Sequence, residues 1–144
     1  MAGSVVLVVG SGGREHSICK QLSSSQLVAE IHCSPGNAGT VGLATNHSVS
    51  ASDVAGLVEL ASSLGADLVV AGPEAPLCDG LADALSVVDI PCFGPVAKLA
   101  NLEGSKLHAK QVMRSAGVPT ADFHVLDEDS DIDAALDDFS INVF

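Results

Sequence analysis

Five consecutive apolar residues, Val5, Val6, Leu7, Val8 and Val9, run directly into Gly10-Ser11-Gly12-Gly13-Arg14-Glu15-His16. Four of the five are β-branched. A continuous apolar run of this length predicts a strand buried on both faces, the pattern of a parallel sheet. The glycines permit a sharp turn and bring bare backbone N–H groups close to a neighbour. A helix is predicted from Arg14 to Leu22. A strand, a glycine turn and a helix N-terminus together form an anion site, because unpaired N–H groups and the helix dipole converge there.

The rest of the chain repeats this alternation. Ala29 to Cys33 predicts a second strand, and Ser34 to Thr40 a loop rich in turn residues. His47 to Val49 predicts a brief third strand. Ser52 or Asp53 caps a helix running to Leu64, with Val54, Leu57, Val58, Ala61 and Leu64 on one face and Gly65 as its stop. Asp67 to Ala71 is another buried strand, followed by the loop Gly72-Pro73-Glu74-Ala75-Pro76. A helix from Leu77 to Val88 and a strand at Pro91 to Phe93 follow. Strands alternating with helices predict an α/β fold with a doubly wound parallel sheet. Right-handed crossovers place the loops after Val9, Cys33 and Ala71 on one sheet edge, where open α/β sheets bind ligands.

Beyond this, Val96 to Ala100 predicts a short helix and Ser105 to Ala116 a longer one, with Lys106 and Lys110 on one face. Phe123 to Leu126 predicts a strand. Asp127 to Phe139 predicts an acidic amphipathic helix with Ile132, Ala135, Leu136 and Phe139 inward, and Ile141 to Phe144 the start of a strand.

Charge excludes one class of partner. The formal net charge is −12, and no basic residue lies between Lys20 and Lys98, so a nucleic-acid footprint has no basic face to use. No apolar run approaches the ~20 residues of a membrane span. Cys19, Cys33, Cys78 and Cys92 are widely spaced in apolar segments, which predicts reduced, buried thiols and a cytoplasmic protein. The five histidines show no metal-ligand spacing.

The glycine turn departs from the dinucleotide fingerprint G-x-G-x-x-G. Its third glycine position holds Glu15, and strand two ends Cys33-Ser34-Pro35 without the acid that holds a ribose diol. Both departures disfavour a nicotinamide or flavin. Taken singly, the remaining motifs have two readings each. Arg14 suits bidentate phosphate binding. Glu15 either complements the helix dipole or meets a ligand. Asn37 and Thr40 serve turn chemistry or a ligand. Glu74, near two prolines, is a loop acid or a carboxylate held toward an amine or sugar hydroxyls. Lys106 and Lys110 are solvated lysines or anion contacts.

In combination, GSGGREH (Gly10 to His16), PGNAGT (Pro35 to Thr40), GPEAPL (Gly72 to Leu77), PCFGP (Pro91 to Pro95), LEGSK (Leu102 to Lys106) and GVPTA (Gly117 to Ala121) resemble the N-terminal part of the phosphoribosylamine–glycine ligase family. The six motifs occur in the family's order and spacing. The resemblance implies a Rossmann-like pre-ATP-grasp, substrate-binding domain at residues 1–101 and the beginning of an ATP-grasp domain at 102–144. It implies a ligase of de novo purine synthesis that joins glycine to 5-phosphoribosylamine through a glycyl phosphate, forming ADP and phosphate. ATP and magnesium (or manganese) would serve the full-length parent, whose nucleotide lid and metal-holding carboxylates have no match here. Gly12, Gly13, Arg14, Glu15, Asn37, Thr40 and Glu74 match the phosphoribosylamine side, and Lys106 matches a lysine that contacts ATP phosphates. No catalytic residue and no metal ligand is implied within this stretch, and it is expected to lack ligase activity alone. Such a domain also opens trifunctional purine enzymes. The rival reading is a stand-alone module that binds a phosphosugar or nucleotide without catalysis.

Overall fold

The computed structural model describes residues 3–137. These described residues fall into two compact units, within the bounds Met1–Ser105 and Lys106–Phe144. The first contains β1 (Ser4–Gly10), α1 (Gly13–Leu22), β2 (Val28–Pro35), β3 (Thr45–Asn46), α2 (Val54–Leu64), β4 (Leu68–Ala71), α3 (Ala75–Cys78), α4 (Leu81–Val87), β5 (Cys92–Phe93) and α5 (Ala97–Gly104). The second contains α6 (Lys106–Ser115) and α7 (Ile132–Asp137).

The sheet is wholly parallel, in the order β3-β2-β1-β4-β5. The opening apolar run becomes its centre. β1 pairs with β2 from Val5↔Glu30 to Gly10↔Pro35, and with β4 from Val6↔Leu68 to Val9↔Ala71. Successive β1 side chains enter opposite layers, as strand geometry requires. Val6 and Val8 pack with Cys19, Ile18 and Leu22 of α1 and with Cys33. Leu7 and Val9 pack with Leu57 and Ala61 of α2 and Leu81 and Leu85 of α4. Each such buried aliphatic side chain contributes about 1.5–3 kcal/mol, so this strand anchors both layers.

Helix α2 has the expected ends. The Asp53 carboxylate accepts a hydrogen bond from the Gly56 N–H at 2.9 Å, and Gly65 closes the helix in the left-handed region at φ 61°.

Several boundaries differ from expectation. The third strand lies at Thr45–Asn46 rather than His47 to Val49. The His47 N–H still donates to the Cys33 carbonyl at 2.9 Å, and beyond it the Ser34 hydroxyl, within range of the carbonyls of His47 (3.3 Å) and Val49 (2.8 Å), takes the place of a ladder. The helix expected from Leu77 to Val88 is two helices, broken at Gly80 with φ 92°. The bend lets Leu77 pack with Ala82 and Ala100 while Leu81 and Leu85 face the sheet.

In the second unit, Phe123 to Leu126 is not a strand. Phe123 instead meets two cations of α6, Arg114 at 4.4 Å and Lys110 at 5.6 Å from its ring centre. The acidic helix is confined to α7, because Asp127 forms a turn by accepting from the Ser130 hydroxyl at 2.6 Å, and the Asp131 carboxylate then accepts from the Ala134 N–H. Ile132 and Leu136, expected inward, are 59% and 52% exposed. Phe139 and Ile141 to Phe144 lie outside the described residues.

Candidate functional site

The sheet order creates a switch point. From β1 the chain winds outward through β2 and β3, then returns to β4 on the other side of β1. Open α/β sheets bind ligands outside the strand ends at such a point. The loops there are tied at their roots. The Gly36 N–H donates to the Gly10 carbonyl and the Gly72 N–H to the Val9 carbonyl, each at 3.0 Å. Thus the loops after β1, β2 and β4 meet, as the strand order implies.

Glu15 lies at the middle of this convergence. It is only 3% exposed. One carboxylate oxygen accepts the Gly12 N–H at 2.5 Å, and the other accepts Arg14 Nε at 3.2 Å. The first contact is half of a capping box, in which the third helical residue reaches back to the N-cap amide. The N–H groups of Gly13, Arg14 and Glu15 occupy the first turn of α1 and have no intrahelical acceptor. Gly13 is open, with nothing within 4 Å of where a Cβ would stand. The Arg14 side chain is 58% exposed, so its guanidinium stands beside these amides at the surface.

The loop after β2 is held by side chains. Asn37 Nδ2 donates to the carbonyls of Ser11 and Gly12, both at 2.9 Å, which joins this loop to the glycine turn. Asn37 Oδ1 accepts the N–H groups of Gly39 and Thr40 at 2.7 and 3.2 Å. Thr40 is fully buried. Its hydroxyl accepts the Asn37 N–H at 2.9 Å and has one proton to give. That proton goes to Asn46 Oδ1 at 2.8 Å rather than to the Asn37 carbonyl at 2.9 Å, because both lone pairs of that carbonyl already accept, from Asn46 Nδ2 at 3.1 Å and the Thr40 N–H at 3.2 Å. Asn46 is a residue the sequence reading missed. No local signal marks it, because its partners Asn37 and Thr40 lie on the loop before it.

The expected residues therefore separate by what they present. Gly13 and Arg14 face outward with donors available. Gly12 is exposed, but its N–H is taken by Glu15. The polar side-chain atoms of Glu15, Asn37 and Thr40 are engaged within the loops. Glu74, half-buried, precedes α3, and its carbonyl accepts the Cys78 N–H. The His16 ring lies against Gly39, where a Cβ would approach it to 3.2 Å.

Lys106 belongs to the second unit. It is exposed at the start of α6 and lines a cavity of about 350 Å³ with Lys110, Phe123 and Leu126. Lys110 is not a free surface lysine. Its ammonium donates to the Thr120 hydroxyl at 2.7 Å and the Ala121 carbonyl at 2.8 Å, pinning the GVPTA turn to the helix.

Two titratable clusters lie near the loops. His32 Nδ1 and His47 Nε2 share a hydrogen bond of 3.0 Å, and Glu30 stands 3.5 Å from His32 Nε2. Burial, then the neighbouring His32, lower the His47 pKa. Beneath the glycine turn, burial, then Cys19, push the Cys33 thiol up to about 12. Cys19 is likewise raised by burial. Among the described residues no three His, Cys, Asp or Glu side chains form a metal site, and no helix is long and apolar enough to cross a membrane.

A parallel α/β sheet with its glycine turn at the switch point defines a Rossmann-like domain. The family model of the phosphoribosylglycinamide synthetase N domain matches residues 4–103, and the chain belongs to that family. It is 53% identical over 131 residues to the phosphoribosylamine–glycine ligase of Streptomyces coelicolor, covering 91% of this chain and 32% of that protein. The Mycobacterium bovis ligase is 47% identical over 134 residues, with 93% and 32% covered. Among solved structures, the Thermotoga maritima phosphoribosylamine–glycine ligase aligns with a TM-score of 0.60 at 33% identity, covering 83% of this chain and 27% of that one. The biotin carboxylase domain of a thermophilic 2-oxoglutarate carboxylase shares the fold, with a TM-score of 0.65 at 22% identity over 83% of this chain and 29% of that one. The chain spans about a third of the length of the curated relatives it matches.

Proposed function

We propose that this chain supplies the phosphoribosylamine side of an ATP-dependent phosphoribosylamine–glycine ligase, with residues 1–101 as the substrate-binding domain and 102–144 as the first segment of the ATP-grasp domain. The observation that carries the reading is the α1 N-terminus. Its first-turn amides and the exposed Arg14 guanidinium stand together at the switch point, in a chain of this family.

In the proposed reaction, a glycine carboxylate oxygen attacks the terminal phosphorus of ATP, giving glycyl phosphate and ADP. The phosphoribosylamine nitrogen then attacks the acyl carbon, and phosphate leaves as the amide forms. The Gly13 and Arg14 amides and the Arg14 guanidinium hold the 5-phosphate by charge-assisted hydrogen bonds. Glu74 faces the sugar or its amine. Glu15, Asn37 and Thr40 frame the loops around these groups, and Gly12 turns the chain. Lys106 is proposed to meet ATP phosphates as a point cation. Magnesium would neutralise those phosphates, and among the described residues no cluster of His, Cys, Asp or Glu could hold it. The reading places the protein in the cytoplasm.

Calorimetric titration of the purified chain tests this. Ribose 5-phosphate is expected to bind, ribose and NAD are not, and Arg14→Ala is expected to abolish the heat. Equal binding of ribose and ribose 5-phosphate, or an unchanged Arg14→Ala isotherm, refutes the assignment. No ADP release dependent on glycine and phosphoribosylamine is expected from this chain alone.

A further inference from the structure

We infer that Glu15 is a positioning residue that keys the glycine turn to the loop after β4, and that Gly72 is a glycine because the Glu15 carboxylate occupies the space of its missing side chain. A Cβ built at Gly72 overlaps Glu15 Oε1. One at Gly10 would stand 2.7 Å from Glu15 Cδ, and one at Gly12 would stand 3.0 Å from Oε2. Gly10 also has φ 128°, so its backbone alone demands glycine. Gly72 is not among the glycines of positive φ, and no backbone requirement explains it. Only the carboxylate does.

The geometry also opposes direct ligand contact by Glu15. The residue is nearly inaccessible, and both oxygens have partners. The contact that bears on function is the one to Gly12 N–H. It fixes the residue preceding the first helical turn, and so the direction in which the Gly13 and Arg14 amides point. The carboxylate also holds Arg14 Nε, which leaves the rest of that guanidinium for an anion. Bridging β1 and β4 at the switch point, Glu15 sets the spacing between the amides and the loop that carries Glu74. Gly13 is the contrasting case: its Cβ position is open, so its bareness serves what approaches from outside.

The ligand part of this inference rests on the proposed phosphate site, and the remainder does not. A stability cycle in urea, without ligand, compares the wild type with Gly72→Ala, Glu15→Ala and the double variant. Gly72→Ala is expected to lower the unfolding midpoint strongly in the wild type and little in the Glu15→Ala background. An equal loss in both backgrounds overturns the inference. The unsubstituted chain supplies a second measurement. The Gly12 amide is expected to exchange hydrogen at least about tenfold more slowly than the Gly13 amide, because it is bonded to a buried acceptor; equal rates overturn the inference.

Titration then reads positioning. With Glu15→Ala folded by its amide spectrum, affinity for inorganic phosphate and for ribose 5-phosphate should fall by the same factor, about tenfold or more, because the amides are misplaced. Loss of ribose 5-phosphate affinity with phosphate affinity kept would mean that Glu15 touches the sugar, and unchanged affinity for both would make it structural only; each overturns the inference. A wild-type chain that binds neither anion refutes the proposed function, while the cycle and the exchange rates still decide the Glu15–Gly72 fit.

Discussion

Thr40→Val removes one buried hydroxyl and preserves side-chain shape. Two partners are left behind: the Asn37 N–H, which donates to this hydroxyl at 2.9 Å, and Asn46 Oδ1, which accepts from it at 2.8 Å. Losing a hydrogen bond costs about 1 kcal/mol, and a buried group left unpaired costs about 1–3 kcal/mol. Asn37 and Asn46 are half-buried, so water reaches them in part and each loss sits at the lower end. The sum is about 2 kcal/mol, or about a thirtyfold shift in the folding equilibrium. The chain has no Trp or Tyr, so urea unfolding is best followed by far-ultraviolet circular dichroism. Thr40→Ser is the control: it keeps the hydroxyl, loses one methyl and costs about 1 kcal/mol. A valine variant within about 0.5 kcal/mol of wild type, at an unchanged denaturant slope, would show that the hydroxyl does not organise the loop.

Asp53→Ala removes the α2 cap and is expected to cost about 1 kcal/mol in the same assay. The His32–His47 pair predicts a pH dependence. The lowered His47 pKa means that the unfolded chain takes up its proton first, so this contribution is complete above about pH 6.5 and declines as pH falls below it. His47→Gln should flatten stability against pH in that window, and an unchanged slope would contradict the shift. Cys19 and Cys33, fully buried with raised pKa values, should resist alkylation at pH 8 until urea is added, as read by peptide mass spectrometry.

Where local chemistry decides structure, the sequence was informative. Val5 to Val9 has one good solution, a central parallel strand. Asp53 and Gly65 bracket α2 because capping and a left-handed stop act within a few residues. The break at Gly80 was missed because it reflects a tertiary demand, that Leu77 and Leu81 reach different neighbours. The motif residues were recognisable as a group, but the partner of each was not. Whether Glu15 faces a ligand or turns inward depends on Gly72, 57 positions away. Asn46 was invisible for the same reason, since its partners lie on a loop and its own strand is two residues long. In the second unit, helical spacing predicts Ile132 and Leu136 inward, but both are exposed, because the pattern does not say what covers that face.

The sheet tapers from strands of seven and eight residues at β1 and β2 to two at each rim. A rim this short exposes few unpaired N–H and C=O groups, so another chain gains little by adding a strand there. The apolar, β-branched run Val5 to Val9 has β2 on one flank and β4 on the other. Fibril growth through this run would thus have to begin with separation of β1 from a neighbour, which ties its kinetics to the opening of the sheet's middle.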